Sequence, residues 1–186
     1  MSSLNFWNKY AEEFQSNYNE EMAKFIRNLA LSLRASSVLE IGCSAGNDLK
    51  LFSGNFGVEG IDQSEVAIDL AKKNLPSFRF KVALPTSIPY DDSSIDFVFT
   101  RNLLNYVENG NVEKILEEMY RVSKKYILNI ERFSPEEQVF DDEPISVWGR
   151  NMQKRWMNFK VKIISNVDMH EEIDPKKSRF TLIRKI

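Results

Sequence analysis

The chain has 186 residues, the length of about one domain and enough for a sizeable core. Its 27 acidic and 25 basic residues are interspersed and leave a net charge of −2, without the basic stripe of a nucleic-acid binder. The lone Cys43, the lack of a signal-peptide pattern at Met1–Lys9 and the lack of any membrane-length apolar run predict a soluble, cytoplasmic protein with no membrane partner.

Residues 4–33 read as helical, with polar breaks near Ser16 to Asn19. Phe6, Tyr10 and Phe14 recur at a spacing of four, as do Met22 with Ile26 and Leu29 with Leu33. A strand is predicted at 37–41, a helix at roughly 47–53 and a second strand at 57–61. Ser64 suits the N-cap of a helix over 65–74, which Pro76 stops. Phe78, Phe80 and Val82 alternate in a third strand at 78–83, and a fourth strand is expected at 95–100. Val112, Ile115, Leu116, Met119 and Val122 mark one face of the next helix, before a fifth strand at 125–130. Strands alternating with helices imply parallel order and right-handed crossovers. Lys160–Asn166 and Ser178–Ile186 are β-rich runs joined by a polar loop, suited to a terminal antiparallel hairpin.

The most informative stretch is Val38-Leu39-Glu40-Ile41-Gly42-Cys43-Ser44-Ala45-Gly46. An apolar strand ends in an acid and enters a glycine-bearing turn, where backbone can press against a flat polar ligand. The next strand ends in Asp62, twenty residues after Gly42, the offset at which a carboxylate in a βαβ unit accepts hydrogen bonds from ribose hydroxyls. These features predict a pocket for an adenosine-containing ligand. A dinucleotide fingerprint would carry glycines where this chain has Ser44 and Asn47, and Asp48 would repel a phosphate at a helix start. No triphosphate-binding G-x-x-x-x-G-K-[ST] segment is present.

The turn resembles motif I of the class I S-adenosylmethionine-dependent methyltransferases. The resemblance continues through Gly60-Ile61-Asp62-Gln63-Ser64-Glu65-Val66-Ala67, similar to that family's second-strand acid and helix start. It continues again in Ile88-Pro89-Tyr90-Asp91-Asp92-Ser93-Ser94-Ile95-Asp96-Phe97-Val98, which resembles the family's Leu-Pro-Phe-x-Asp-x-Ser-Phe-Asp segment. The family implies an α/β, Rossmann-like three-layer sandwich, a mostly parallel seven-stranded sheet with an antiparallel C-terminal hairpin. It further implies a single methyltransferase domain over 1–186, with cap helices at 1–33 and a catalytic core at 34–186. The cofactor implied is S-adenosylmethionine; the expected acceptor is an oxygen or nitrogen of a small metabolite, with a non-catalytic binding module or a protein or nucleic-acid methyltransferase as the alternatives. More narrowly, Phe6-Trp7, Thr100–Val107, Tyr126–Pro135 and Val147–Met152 resemble the small methyltransferases associated with pseudaminic and related nonulosonic acid biosynthesis. That group tends to carry a histidine where this chain has Asn105, and a Lys-Arg-Asp run where it has Gly149-Arg150-Asn151.

On this reading Glu40, Gly42, Cys43, Ser44, Asp62 and Gln63 bind the cofactor. Gly46 either joins them or permits close helix–strand packing, and Asp62 either holds ribose or caps the following helix. Relatives often read adenine with an acid before the Leu-Pro-Phe segment. Val82–Ser87 has none, so backbone at Ala83 and Leu84, or Thr86 or Ser87, is expected to serve. Tyr10, with Trp7 and Tyr18, either packs in the core or covers a cationic sulfonium. Asn102 and Tyr106 follow the fourth strand at the edge where open α/β sheets bind ligands, and are the catalytic candidates together with Glu131 after the fifth. Asn102 also ranks as a cofactor contact. Glu131 is a base candidate or a solvated loop acid. Trp148 and Arg150, in a basic cluster with Lys154 and Arg155, are the candidates for an acidic acceptor. A structural, turn-capping role suits Asp96. One histidine, His170, suggests no metal site.

Overall fold

A computed structural model describes residues 3–16, 18–141 and 145–186. Two helices lead, α1 (Ser3–Phe14) and α2 (Glu20–Ser32). They are separated at the polar break expected from sequence, where Asn19 Oδ1 caps α2 by accepting from the Met22 amide at 3.0 Å. Then come β1 (Ser37–Ile41), β2 (Gly57–Asp62), α3 (Glu65–Asn74), β3 (Arg79–Val82), β4 (Ile95–Arg101), α4 (Asn109–Val122) and β5 (Ser123–Glu131). Ser64 caps α3 as predicted, its Oγ accepting from the Ala67 amide.

The seven-stranded sheet has the order β3-β2-β1-β4-β5-β9-β8, where β8 (Val161–Asp168) and β9 (Arg179–Lys185) form the terminal hairpin. The first five strands pair in parallel, and β9 runs antiparallel to both β5 and β8. This is the α/β architecture expected from the sequence. Period-two alternation sends Val38, Phe97, Phe99, Leu128 and Ile130 to one face, against Met22, Ile26, Ile68 and Ala71 of α2 and α3. Leu39, Ile41, Val98 and Ile127 point the other way, onto Val112, Ile115, Leu116 and Met119 of α4. With both faces covered, the central strands read as nearly continuous apolar runs.

Two regions differ from the sequence expectation. The helix predicted at 47–53 is a single 3₁₀ turn, Asn47–Leu49. Leu49 and Phe52 are drawn into the core instead of one face of a longer helix. The stretch between β5 and β8, unassigned from sequence, forms an antiparallel ribbon of β6 (Gln138–Asp141) and β7 (Val147–Gly149), followed by α5 (Met152–Trp156). Trp156 is buried and donates through Nε1 to Asn129 Oδ1 at 2.6 Å, which locks α5 to β5. Asp96, at the opposite edge of the sheet from the predicted pocket, accepts from the amide and hydroxyl of Ser36 and is structural.

Candidate functional site

The chain winds from β1 outward to β3, then returns to place β4 on the other side of β1. At such a switch point the loops leaving adjacent strands diverge and open a crevice at the carboxyl edge of the sheet. A cavity of about 800 Å³ lies there. Its wall contains residues 40–44 at the end of β1 and beyond, Asp62 and Gln63 at the end of β2, residues 83–86 after β3, and Arg101 to Leu103 at the end of β4. Trp7 and Tyr10 of α1 close one side, and Tyr106, Val107, Asn111 and Ile115 another.

Gly42 carries φ +78°, and a Cβ there would approach Leu103 Cδ1 to 2.9 Å. A glycine therefore suits this position both for its backbone and for the packing of the loop after β4. The turn is fastened to β2, since the amides of Gly42 and Cys43 both donate to the Ile61 carbonyl. Asp62 Oδ2 accepts from the Ser44 amide at 3.0 Å and Oδ1 from the Ser64 amide at 2.9 Å. One carboxylate thus fixes both the turn after β1 and the entry to α3. Burial raises its pKa, and those amide donors oppose the rise.

Glu40 and Asp48 meet as a buried acid pair on the cavity wall. Burial first, then the Asp48 charge, holds the Glu40 carboxyl well above the usual range, so Glu40 is the member of the pair that takes up a proton first. Asp48 stays paired with Arg101, whose Nε donates to Oδ2 at 2.7 Å. Glu40 Oε2 and Asp48 Oδ1 accept from no donor among the described residues. The α1 side is aromatic, with Trp7 packed edge-on against Tyr10 and Tyr106. Burial raises the pKa of both tyrosines, keeping their phenols protonated.

Of the residues singled out from sequence, Tyr10, Glu40, Gly42, Cys43, Ser44, Asp62, Gln63, Ala83, Leu84, Asn102 and Tyr106 all line this one cavity. Four others do not. Gly46, at φ +80°, turns toward the sheet, where a Cβ would come within 3.0 Å of Leu75 Cδ1. Its packing reading is the one the geometry supports. Glu131 is neither a solvated loop acid nor exposed to the cavity. It is fully buried beneath the residues that follow β4. Arg150 is fully buried as well, its guanidinium enclosed by Leu104, Val107, Asn109 and the Trp148 ring, 4.9 Å away. Arg155 is spent on Glu137 and Glu113, so of the basic cluster seen in sequence Arg150 and Arg155 are tied into an internal network while Lys154 is exposed.

The sequence reading missed Arg101 and the hairpin loop. Arg101 adjoins Asn102 at the end of β4, so its position alone was a usable signal. Asp174, Pro175 and Lys176 reach the cavity because β9 runs antiparallel to β5, which puts the β8–β9 loop at the carboxyl edge. Asn19 Nδ2 ties that loop to α2 through the Ile173 carbonyl at 2.7 Å. No local sequence feature announces that contact.

Residues 38–126 match the family described as "Methyltransferase domain". No curated protein matches the chain in sequence. Among solved structures, an S-adenosylmethionine-dependent methyltransferase from Methanosarcina mazei is 20% identical, with a TM-score of 0.68 over 81% of this chain and 92% of the other. The Haloferax volcanii complex of the Trm112 methyltransferase activator with a methyltransferase gives a TM-score of 0.75 at 16% identity, over 97% and 95%. The 1,6-didemethyltoxoflavin-N1-methyltransferase of Burkholderia thailandensis, with bound 1,6-didemethyltoxoflavin and S-adenosylhomocysteine, gives 0.71 at 12% identity, over 100% and 91%. These likenesses establish the fold. No helix among the described residues is long and apolar enough to cross a membrane.

Proposed function

We propose that this chain, in which residues 38–126 match the methyltransferase-domain family, moves a methyl group from S-adenosylmethionine to an oxygen or nitrogen of a small metabolite. Residues 1–186 act as one domain in this reading, in a reducing, cytoplasmic compartment, with 1–33 capping a catalytic core at 34–186. The observation that carries it is the pairing of Glu40 and Asp62 across one cavity, with only a 3₁₀ turn behind the bend between them. A pyrophosphate would need the amides and dipole of a helix start there. The chain instead supplies carboxylates, which suit a nucleoside whose charged end is cationic.

The residues fit the cofactor. Asp62 retains acceptor capacity beyond the Ser44 and Ser64 amides for ribose hydroxyls. The unmatched oxygens of Glu40 and Asp48 suit an ammonium group, and Arg101 suits a carboxylate. Ala83 and Leu84 offer backbone to adenine. When bound, S-adenosylmethionine supplies a methyl group already activated on a sulfonium. What remains for the protein is alignment and exclusion of water, and alignment alone can supply about 7–11 kcal/mol. Trp7, Tyr10 and Tyr106 turn aromatic surface toward a cation and keep water out. Asn102 and the protonated Tyr106 are suited to hold the acceptor, not to remove its proton. The Burkholderia structure, with S-adenosylhomocysteine and a small acceptor in one fold, supports the same pairing here. An acidic-sugar acceptor, the narrower expectation, would find its cation at Lys176 on the cavity wall and not at the enclosed Arg150.

Calorimetry tests the cofactor half. S-adenosylhomocysteine is expected to bind and NAD is not, and the reverse result would make the protein an oxidoreductase. A screen of small acceptors with tritiated donor tests the reaction. Binding without transfer to any acceptor would favour a non-catalytic binding module, and an RNA gel shift at moderate salt would favour a nucleic-acid substrate.

A further inference from the structure

Two buried ionisable side chains that stay off the cavity grip the same stretch of chain, one chiefly as an acceptor and the other as a donor. After β4 the chain turns through Asn102, at φ +52°, into a 3₁₀ turn at Leu104–Tyr106 and then α4. This segment touches much of what defines the site. Leu103 packs on the Gly42 turn, Tyr106 on Trp7, and Asn102, Leu103, Tyr106 and Val107 line the cavity. Glu131 lies beneath its start, accepting from Thr100 Oγ1 at 2.8 Å and from the amides of Leu103 and Asn105 at 3.4 and 3.3 Å. Arg150 lies beyond its end. Nε donates to the Leu104 carbonyl at 2.7 Å, and the two terminal nitrogens donate to the Val107 carbonyl and to Asn109 Oδ1.

We propose that Glu131 and Arg150 are positioning residues, a carboxyl group and a guanidinium that together fix residues 102–109 as the wall on which cofactor and acceptor are aligned. The proposal rests on the methyl-transfer reading for what the wall does, and on geometry alone for how it is held. Enclosing a guanidinium or a carboxylate costs several kcal/mol unless its partners are well placed. Most of the hydrogen bonds of both groups go to this one segment; Arg150 also meets Glu137 Oε2 at 3.4 Å, and Glu131 also accepts from Thr100. The Leu104 carbonyl also accepts from the Val107 amide at 3.3 Å, whereas the amides of Leu103 and Asn105 and the Val107 carbonyl sit where a 3₁₀ turn offers no ladder partner. Asn105 extends the grip, its Oδ1 accepting from the Arg132 amide at 2.8 Å. Arg150 is itself seated by backbone, its amide donating to the Arg132 carbonyl at 2.8 Å.

Arg150→Met keeps the stem and removes the fork, and Arg150→Lys keeps the charge but cannot span three acceptors. Hydrogen exchange on the ligand-free variants is expected to accelerate at the amides of Leu103, Asn105, Tyr106 and Val107, while β1, β4 and β5 keep their protection. With an acceptor in hand, transfer is expected to fall about 100-fold, the scale of an ångström-sized misplacement, with KM much less affected. Added guanidinium is expected to restore part of the rate in Arg150→Met. Glu131→Gln should loosen the same amides. Unchanged exchange at 103–107 in a folded variant overturns the proposal. So does loss of protection spread evenly over the sheet, which would make Arg150 a general stability element. Should Arg150→Met fail to fold, Arg150→Lys is read by the same criteria. Failure of wild-type protein to bind S-adenosylhomocysteine would sink the methyl-transfer reading and leave the exchange result to decide the grip.

Discussion

Trp7 and Tyr106 meet edge-on with ring centroids 5.0 Å apart, joining the first helix to the turn after β4. Tyr10 stands 5.5 Å from Trp7, so three rings from two distant parts of the chain meet where two sides of the cavity join. Trp7 belongs to neither apolar cluster flanking the sheet. Trp7→Ala should therefore cost about 1–3 kcal/mol of stability, the worth of its pairs with Tyr10 and Tyr106, and leave the fold intact. Affinity for S-adenosylhomocysteine should fall about tenfold, or roughly 1.4 kcal/mol, by calorimetry. An unchanged Kd would detach α1 from ligand binding.

Asp62 already accepts from two backbone amides, so its removal acts twice. Asp62→Ala is expected to lose about 1–3 kcal/mol of cofactor affinity by leaving ribose hydroxyls unmatched. It should also lower Tm, because the Ser44 and Ser64 amides lose their acceptor. Asp62→Asn keeps an acceptor oxygen and should recover part of both. Affinity unchanged in a destabilised Asp62→Ala would reduce this residue to the helix-capping role and move the ribose elsewhere.

The cavity was legible in sequence wherever its chemistry lies along one strand and its following turn. Glu40 to Ser44 and Asp62 could be read because a parallel strand delivers its last residues to a common edge. The spacing between two such ends is set by one crossover. Glu131 and Arg150 were misplaced for the converse reason. Both sit at sequence positions that reach the same edge, and only the path of residues 102–109 over them decides that they face inward. The short turn at Asn47–Leu49 was overread as a helix because Leu49, Leu51 and Phe52 look periodic over too few residues to separate a helix from a packed turn. The cavity residues Asp174 to Lys176 depend on a tertiary contact between Asn19 and Ile173, which leaves no local trace.

Gly42 combines a left-handed backbone with a Cβ-sized gap already closed by Leu103. Gly42→Ala should cost about 1–2 kcal/mol from the backbone alone. It should also push Leu103 away and weaken S-adenosylhomocysteine binding. Gly42→Val should abolish binding while the far-ultraviolet circular dichroism of the sheet persists. Tight binding by the valine variant would show that ligand does not approach this turn.

Burial holds the Glu131 carboxyl up at about 7, against an ordinary 4.5, outweighing its bonds from Thr100 and the amides of Leu104, Asn105 and Leu103. Between those values the folded protein keeps a proton that the unfolded chain has released. The stability linked to this group is therefore complete below about pH 4.5 and is lost as pH rises to about 7, by roughly 3 kcal/mol. Tyr106 and Arg150 are the charged or titratable groups that couple to it, and both keep their protons throughout this range. Glu40, also raised by burial, titrates in any Glu131 variant and cancels in a comparison. Urea unfolding of wild type and Glu131→Gln from pH 4.5 to 7.5 isolates the effect. The stability of wild type relative to the variant should decline across the window, steepest as the two pKa values are spanned. A difference that stays flat would mean that Glu131 is ionised throughout and that its amide donors outweigh its burial.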